Sequence, residues 1–381
     1  MTIEKLNLVF IDSISRIDQY EFDSLVQTDY PFVQYNFLRA LEESQCVSAN
    51  TGWQPKHLTA YEGTKLVGFM PLYVKTHSYG EYVFDFQWAN AYHQTGLAYY
   101  PKLVCSIPFT PCSGDRIITR PNQGNTIANK MIKVLINEAD RTDVSSCHIL
   151  FPKSGDIAIN DQREFLLRKG MQYHWFNKDY VDFDDFLSRC KMKPRKNIRR
   201  ERKALLESNI KIKTVEGINI DHDLWTQFYY FYQLTYAKRS GNTGYLNQSF
   251  FNMLGKTMPS KIMMSVAELD GQAIAISLFF KDSENLYGRY WGTSLAIEYL
   301  HFELCYYQGI EYCIKNGLKH FDAGAQGEHK IQRGFEPIET DSYHWIADQR
   351  FRVAIRDFLN KEKPFVLDEI EHLAKKLPYK S

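Results

Sequence analysis

The chain has 381 residues, of which 44% are hydrophobic and 15% aromatic, and its formal net charge is +1. This composition provides enough apolar material for packed cores and excludes an intrinsically disordered chain. The near balance of acidic and basic residues excludes histone-like packaging proteins, so any binding of a polyanion depends on a local basic patch.

The length predicts two domains, because single cores seldom grow beyond about 250 residues. We place these domains at residues 1–178 and 179–381. The sequence contains no run of about 18 apolar residues, and Glu4, Lys5 and Asn7 lie where a signal peptide needs an apolar core. The sequence therefore predicts a cytoplasmic protein without membrane insertion.

The seven cysteines are scattered along the chain and include no C-x-x-C pair. A disulfide framework is therefore not expected, and no metal site is predicted. His301 and Cys305 share a helical face, whereas His301 and Glu303 do not. Cys305 lies in an apolar, aromatic run, where a buried and unreactive thiol is the commoner state.

The first half of the chain predicts alternating strands and helices. Two apolar runs at 58–61 and 66–73, separated by Gly63, predict a β-hairpin, and an aromatic loop follows at 77–88. The other predicted elements are a helix at 32–44, a broken strand at 103–114, a helix at 123–139, a strand at 147–151, a helix at 161–169 and a strand at 173–176.

The second half predicts a similar order. Runs at 262–268 and 273–280 flank Asp270 and Gly271, a pair typical of hairpin turns. The other predicted elements are a basic helix at 195–207, a strand at 210–215, an aromatic helix at 225–239, a strand at 286–291, a helix at 298–315, a strand at 319–322 and helices from Phe351 that divide near Pro364. Both halves thus predict a mixed α/β fold, with a structural duplication.

Several segments of the chain carry recognisable motifs. The segment YYQGIEYCIKNGLKHFDAGAQGEHKIQRGFEP at 306–337 is similar to the C-terminal half of FemAB-type aminoacyl transferases. Further similarity to FemAB-like N-acyltransferases is carried by TGWQPKHL (51–58), HSYGEYVFDFQWA (77–89), YYPKL (99–103), PFTPCSGDR (108–116), RKNIRRER (195–202), LYGRYWG (286–292), HFELCYYQGIE (301–311) and GAQGEHKIQRGFEP (324–337). The resemblance covers nearly the whole chain and implies an α/β (α+β) fold of tandem GNAT-like domains, with mixed sheets flanked by helices.

The resemblance implies an N-acyltransferase that moves an acyl or aminoacyl group to the amine of a small molecule or a peptide. The donor is either acyl-CoA or aminoacyl-tRNA, as a co-substrate and not as a tightly bound cofactor. The [Q/R]-x-x-G-x-[G/A] loop that binds CoA in GNAT enzymes is not evident, and Gln332 occupies the position of a FemAB lysine. The alternative is a non-catalytic, RNA-associated or cell-envelope scaffold protein on the same fold.

The glycine-rich loop at the end of this segment concentrates the side chains that acyl transfer requires. An amine must lose a proton, and an oxyanion or a phosphate needs hydrogen-bond donors or cations. We assign the role of base to Glu328 or His329 and anion binding to Lys330 and Arg333, with Gln326 as a further substrate contact. The alternative is a solvated polar turn held by local hydrogen bonds.

The aromatic loop supplies a second group of candidate residues. Glu81 and Asp85 are expected to recognise an ammonium acceptor or to deprotonate it, with His77 and Tyr79 nearby. Trp88 supplies a flat surface for a substrate. The alternative is a loop that only seals the core.

The strand at 286–291 places Arg289 and Trp291 among apolar neighbours, and we expect both to reach the substrate cleft. The alternative for Arg289 is an ion pair with a buried carboxylate such as Asp322.

The basic helix carries the predicted polyanion patch. Arg195 and Arg199 share one face of this helix, and Lys196 and Arg200 lie beside it. The patch predicts contacts with the phosphates of tRNA or CoA, and the alternative is a solvated helix face.

Overall fold

The computed structural model describes residues 6–121, 124–153 and 165–380. The chain divides into two compact units, of which unit 1 is Met1–Gly170 with Glu339–Asp368 and unit 2 is Met171–Ile338 with Glu369–Ser381. This division differs from the predicted domains 1–178 and 179–381, because the chain returns to unit 1 after Ile338. Sequence patterns do not show such a return, since strand pairing joins residues that are distant in sequence.

The described residues form strands β1 to β15. In chain order these strands are Leu6–Ile11, Trp53–Pro55, His57–Glu62, Lys65–Met70, Leu72–Lys75, Lys102–Cys105, Ile118–Thr119, Ser146–Leu150, Leu166–Phe176, Lys211–Glu216, Ile262–Leu269, Gln272–Lys281, Asn285–Thr293, His320–Asp322 and Glu336–Ile346.

The described helices are α1 to α11. In chain order they are Gln19–Leu25, Tyr35–Glu43, Phe86–Gln94, Gly124–Arg141, Phe183–Ser188, Met192–Glu207, His222–Ser240, Gln248–Thr257, Leu300–Phe302, Gln308–Asn316 and Gln349–Ala374. A π-helical turn, Glu303–Tyr307, joins α9 to α10. Short 3₁₀ helices lie at Ile14–Arg16, Pro31–Val33, Gly217–Asn219, Pro259–Lys261 and Glu328–Arg333.

In unit 1, β1, β3, β4 and β7 form an antiparallel sheet in that order. A second series runs β15-β8-β6-β5-β2, in which β6 and β8 are parallel. Helix α4 covers apolar side chains of both series, because Ile127, Met131 and Leu135 recur at four-residue intervals and form one buried stripe.

In unit 2, the strands follow the order β10-β11-β12-β13-β14-β9, and all neighbours are antiparallel except β13 and β14. Because the carboxyl ends of parallel strands meet at one edge, the end of β13 and the loop after β14 come together there. Helix α7 approaches β13 closely, since a Cβ atom on Gly292 would lie 2.2 Å from the carbonyl carbon of Phe231. The predicted class, mixed sheets flanked by helices, is confirmed.

Both predicted hairpins are confirmed, because β3 pairs with β4 and β11 pairs with β12 in antiparallel register. At the second turn Asp270 and Gly271 have φ values of +51° and +77°. Two consecutive left-handed residues are the signature of a tight turn that matches strand twist.

Two local predictions are wrong. Of the predicted helix at 161–169, residues 161–164 lie outside the described residues, and from Leu166 the chain forms strand β9. Pairing with β15, which is distant in sequence and which Lys169 contacts through Glu339, overrides the local helical pattern. The predicted division of the C-terminal helices is absent, because α11 continues through Pro364. A proline lacks the N–H that would bond the carbonyl four residues earlier. Pro364 is exposed, so water can bond that carbonyl instead.

Candidate functional site

Three glycines shape the loop that follows β14 in unit 2. Gly324, Gly327 and Gly334 have φ values of +89°, +115° and +91°, which favour glycine over other residues. The short helix Glu328–Arg333 folds back toward the start of the loop, where Lys330 Nζ donates a hydrogen bond to the Gly324 carbonyl oxygen at 2.5 Å. The loop therefore holds an ammonium group against its own first turn.

Lys330 is buried, with 2% of its surface exposed. Burial lowers its pKa to about 8; the carboxylate of Asp322 opposes this shift and the guanidinium of Arg289 adds to it. A lysine with a pKa near neutrality is partly a free amine, which can accept a proton in a transfer reaction.

Aromatic rings surround this lysine. The π-helical turn carries Tyr306, whose hydroxyl lies 2.9 Å from Nε2 of His329 and whose ring lies 5.8 Å from Lys330 Nζ. His301 packs edge-on against Trp291, with ring centroids 4.7 Å apart. The indole N–H of Trp291 is buried and has no hydrogen-bond partner among the described residues. Turns of this helix type occur often at functional sites, where they displace side chains from regular helical positions.

The two histidines of this group are neutral near pH 7. Burial lowers the pKa of His301 to about 3, and the charge of Arg239 adds to the shift. Burial also lowers the pKa of His329, with further contributions from Arg333 and Lys330. The centroids of the two imidazole rings lie 6.2 Å apart. A neutral imidazole can act either as a base or as a hydrogen-bond donor.

Arg333 is committed to an internal ion pair. Its Nη2 lies 2.9 and 3.0 Å from the two carboxylate oxygens of Glu201, which also accepts a hydrogen bond from Tyr307. The guanidinium stacks on Phe302 at 3.5 Å from the ring centroid. The predicted anion-binding role of Arg333 thus competes with a carboxylate that is already bound.

Gln326 and Glu328, the other two residues predicted in this loop, are exposed, and so is His329 despite its contact with Tyr306. Gln326 lies on the surface, and Glu328 forms a surface ion pair with Lys376 at 3.2 Å. The loop therefore brings His329 and Lys330 together with Tyr306, and it leaves Glu328 facing solvent.

The basic helix is α6, and its charges separate into two sets. Arg202 turns inward and binds Glu303 and Glu311 at 3.0 and 2.9 Å. Arg195 is half-exposed, and Lys196, Arg199 and Arg200 are exposed, which agrees equally with a phosphate-binding face and with a solvated helix face. Arg199 pairs with Asp184 at 3.0 Å, whereas Lys196 and Arg200 make no ion pair within the described part of the chain.

A second group of charged side chains lies in unit 1. Lys102 on β6 donates hydrogen bonds to Ser78 Oγ at 2.9 Å, to Glu81 Oε2 at 2.8 Å and to Asp85 Oδ2. Tyr99 also donates to Asp85 Oδ2, at 2.6 Å. Glu81, Asp85 and Lys102 are all at least nine-tenths buried. The predicted pair Glu81 and Asp85 therefore shares one buried ammonium.

The remaining predicted residues of the aromatic loop have different environments. His77 Nε2 contacts the Thr51 carbonyl at 2.9 Å, and Tyr79 is exposed. Trp88 belongs to α3, which begins within the predicted loop at Phe86, and it is buried against His344 with centroids 4.9 Å apart. Trp88 thus packs in the core of unit 1 and does not offer a free surface.

The sequence analysis missed several residues of this group. Lys75 and Lys102 are fully buried at the ends of the short strands LYVK and KLVC. A lysine inside an otherwise apolar strand is a usable signal, because a buried charge needs a nearby partner. His148 and His344, whose Nδ1 atoms lie 2.6 Å apart, were also missed, and nothing local marks two strands so distant in sequence as neighbours.

Among the described residues, no group of three or more His, Cys, Asp or Glu side chains is arranged to hold a metal ion. None of the helices found there is long and apolar enough to cross a membrane.

Comparison with known proteins identifies the family. A family model for FemAB-like proteins, described as peptidoglycan biosynthesis/recognition, matches residues 13–381. The chain belongs to the FemAB-like family. No curated protein matches this FemAB-like chain in sequence.

Solved structures share the fold of this FemAB-like protein at low sequence identity. FemX is 12% identical with a TM-score of 0.53, over 92% of this chain and 100% of its own. The C-terminal DUF2156 domain of a candidate lysylphosphatidylglycerol synthetase from Agrobacterium fabrum is 10% identical with a TM-score of 0.54, over 91% of this chain and 96% of its own. A conserved protein of unknown function from Bacteroides thetaiotaomicron is 9% identical with a TM-score of 0.50, over 90% of this chain and 100% of its own. These solved structures share the fold of the chain, with its mixed sheets flanked by helices, over nine-tenths or more of its length.

Proposed function

We propose that this FemAB-like protein is an N-acyltransferase that moves an aminoacyl group from aminoacyl-tRNA to a primary amine, with its chemical centre in unit 2. The observation that carries the proposal is Lys330, a buried lysine with a pKa of about 8 that is fixed on the glycine-rich loop. A buried titratable group beside aromatic rings and neutral imidazoles is typical of a catalytic centre.

The reaction requires the acceptor ammonium to lose a proton before its nitrogen attacks the acyl carbonyl. In its free-amine form Lys330 takes this proton, and His329, positioned by Tyr306, is a second acceptor. The ester C–O bond to the tRNA then breaks, the ribose oxygen leaves as a hydroxyl with a proton from the attacking nitrogen, and Lys330 returns its proton to solvent. The carbonyl oxygen becomes an oxyanion during attack and needs hydrogen-bond donors. The buried N–H of Trp291, which has no partner among the described residues, is such a donor.

Two features favour aminoacyl-tRNA over acyl-CoA as the donor. The sequence has no evident pyrophosphate-binding [Q/R]-x-x-G-x-[G/A] loop, which acyl-CoA enzymes of this fold use. The exposed face of α6 carries Lys196 and Arg200 without ion-pair partners within the described residues, and such cations suit RNA phosphates. The Agrobacterium neighbour is named for lysylphosphatidylglycerol synthesis, which agrees with an aminoacyl donor at the level of fold analogy.

No tightly bound cofactor is needed for this reaction, because the donor is a co-substrate. The acceptor class is a small molecule or a peptide with a primary amine, and the proposed compartment is the cytoplasm, where charged tRNA is available. The second candidate function is that of an RNA-associated protein without catalysis. The exposed cations of α6 would be sufficient for RNA binding of this kind.

The proposal is tested by measuring transfer of radiolabelled amino acids from a charged tRNA mixture to a panel of amines, with acetyl-CoA as the alternative donor. Lys330→Met is expected to lower kcat by about 100-fold or more, the usual loss for a general base. Lys330→Arg keeps the charge but not the proton acceptor, so it should be equally impaired. Lys315→Met, which makes the same substitution at an exposed lysine on α10, is the control and should retain activity.

Each outcome distinguishes the candidates. Transfer by the wild type that survives in Lys330→Met rules out the assigned base. Binding of tRNA without transfer of any amino acid, lost in Arg200→Glu but unchanged in Lys330→Met, supports the RNA-associated alternative. Transfer from acetyl-CoA but not from charged tRNA replaces the proposed donor.

A further inference from the structure

The buried charged group of unit 1 consists of Lys75, Glu81, Asp85 and Lys102. The three donors of Lys102 are occupied by Ser78, Glu81 and Asp85. The ammonium of Lys75 contacts His77 Nδ1 and the Tyr79 carbonyl oxygen, both at 3.3 Å. By contrast, Glu81 Oε1 and Asp85 Oδ1 have no hydrogen-bond partner within the part of the chain that the structure describes.

A buried carboxylate oxygen without a partner carries a desolvation cost that a hydrogen-bond donor would remove. Both of these oxygens are acceptors, so an occupant that pairs with them must be a donor. An anion does not fit beside two carboxylates, and the three N–H groups of Lys102 already have acceptors. Water and an organic ammonium remain.

The charges of the group favour a cation. Burial opposes the charge of Lys102, but Glu81 and Asp85 raise its pKa, and Lys102 in turn lowers the pKa of Asp85 to about 2 against the effect of burial. Burial raises the pKa of Glu81 to about 7 and lowers that of Lys75 to about 7. When Glu81 ionises and Lys75 is neutral, two carboxylates face one ammonium, and a cationic ligand restores the balance.

The titratable groups around Glu81 come from several elements of unit 1. They are Lys75 on β5, His77 and Asp85 in the aromatic loop, Tyr99 and Tyr100 before β6, Lys102 on β6, His148 on β8, Arg168 on β9 and His344 on β15. Burial lowers the pKa of both histidines, His148 to about 3, so these rings stay neutral when Glu81 titrates.

The same segment exposes a row of aromatic rings. Tyr79, Phe84 and Phe86 are 58%, 56% and 44% exposed. The ring of Phe86 contacts the rings of both other residues. Its centroid lies 5.8 Å from that of Tyr79 and 6.3 Å from that of Phe84. Tyr79 is joined to the buried group through its carbonyl contact with Lys75. Exposed aromatic surface of this kind is typical of ligand sites, where it holds the apolar body of a ligand.

We propose that unit 1 is itself a binding site for a primary ammonium carried on an aromatic or apolar body, with Glu81 and Asp85 as its carboxylate receptors and Tyr79, Phe84 and Phe86 as its rim. The ligand enters and stays as R–NH₃⁺. The protonated fractions of Glu81 and Lys75 give their protons to bulk solvent as the ion pair forms, so binding and proton release are coupled. The site does not depend on the transfer chemistry proposed for unit 2.

The test is isothermal titration of the full chain with benzylamine at pH 7 in phosphate, imidazole and Tris, buffers with different enthalpies of ionisation. Benzylamine remains protonated at this pH, so any proton released comes from the protein. We expect about half a proton per site from Glu81 and up to about half from Lys75, because a pKa of about 7 leaves about half of each group protonated. The release from Glu81 should vanish by about pH 9. Wild type that shows no binding heat above dilution overturns the proposal without any variant.

Variants assign the site. Asp85→Asn is expected to weaken benzylamine binding about tenfold or more, as for loss of a charged hydrogen bond, and Glu81→Gln should weaken binding and reduce proton release. Phe86→Ser should weaken benzylamine but leave ethylamine unchanged. Asp140→Asn, an exposed carboxylate on α4, is the matched control. Affinity and proton release that are unchanged in folded Glu81→Gln and Asp85→Asn contradict the proposal, whatever the outcome for Lys330.

Discussion

The Nδ1 atoms of His148 and His344 lie 2.6 Å apart in the buried interior of unit 1. Two ring nitrogens at this distance need a proton between them, so the neutral pair shares one proton. The Nε2 atoms contact the hydroxyls of Ser146 and Ser342 at 2.8 and 2.9 Å, and a hydroxyl can either donate or accept. Both positions of the shared proton are therefore satisfied, and neither requires a charged ring.

Acidification is expected to destabilise the protein through this pair. Burial lowers the pKa of His148 to about 3 and that of His344 well below its ordinary value. Because the folded values lie below the unfolded value of about 6.5, the neutral pair contributes stability that is fully present above pH 6.5 and lost as the pH falls. Below about pH 6.5 the free energy of unfolding should decrease by about 1.4 kcal/mol per pH unit for each such histidine. Urea unfolding at a series of pH values between about 7.5 and 5 measures this decrease.

The matched variants are His344→Gln and His93→Gln. The first removes one member of the buried pair and should flatten the pH dependence, whereas the second changes an exposed histidine on α3 and should leave it unaltered. A pH slope that is the same in His344→Gln as in wild type would show that other groups cause the acid sensitivity.

The pair of Arg333 and Glu201 is expected to matter for stability more than for substrate binding. Each residue is 7% exposed, and Arg333→Met would leave the carboxylate of Glu201 buried with only Tyr307 as its partner. Breaking a buried ion pair from one side costs about 3–5 kcal/mol, whereas the double variant with Glu201→Met should recover part of that loss. Urea unfolding of the single and double variants measures the coupling.

The surface pair of Arg199 and Asp184 provides the comparison. Arg199→Met should change the unfolding free energy little, since exposed ion pairs contribute little. If Arg333→Met is as stable as Arg199→Met but fails to bind the donor, then Arg333 has the anion-binding role that the sequence suggested.

The sequence predicted the elements that depend on local patterns. The hairpin at Asp270 and Gly271 and the amphipathic stripe of α4 follow from turn chemistry and four-residue spacing, and both are observed. The family motifs led directly to the glycine-rich loop, which holds Lys330. What the sequence could not show is long-range pairing, so strand β9 was taken for a helix at its start and the return of the chain to unit 1 was missed.

For the candidate sites, the sequence predicted some of the residues but not their partners or their exposure. Glu81 and Asp85 were named as a pair, but their partner Lys102 is supplied by another strand and was not recognised. Glu328 was chosen as a base for its chemistry, although only the fold shows that it faces solvent beside Lys376. Residue type indicates what a side chain can do, while burial, which decides whether its pKa shifts, requires the three-dimensional structure.

Charge reversal on α6 is expected to weaken tRNA binding in a salt-dependent way. Lys196 and Arg200 are exposed cations, so Lys196→Glu and Arg200→Glu should each reduce the affinity for tRNA. Each variant should also lower the slope of log Kd against log salt concentration by about one, which is the contribution of one phosphate contact. Lys211→Glu, an exposed lysine on strand β10, is the control. Equal weakening by all three variants would indicate a general effect of net charge, and no weakening by the first two would remove α6 from the donor site.

Gly292 is expected to be intolerant of any side chain, because β13 and α7 meet there through their backbones. A Cβ atom at this position would lie 2.2 Å from both the carbonyl carbon and the carbonyl oxygen of Phe231, and neither can rotate away. Gly292→Ala must push α7 from the strand, at a cost of about 1–3 kcal/mol, which corresponds to a fall in Tm of roughly 2–12 °C. Gly288→Ala on the same strand is the matched control, since its Cβ would come no closer than 3.3 Å, to the ring of Phe321. Thermal unfolding that gives the two alanine variants the same Tm would show that α7 does not approach β13 as closely as described.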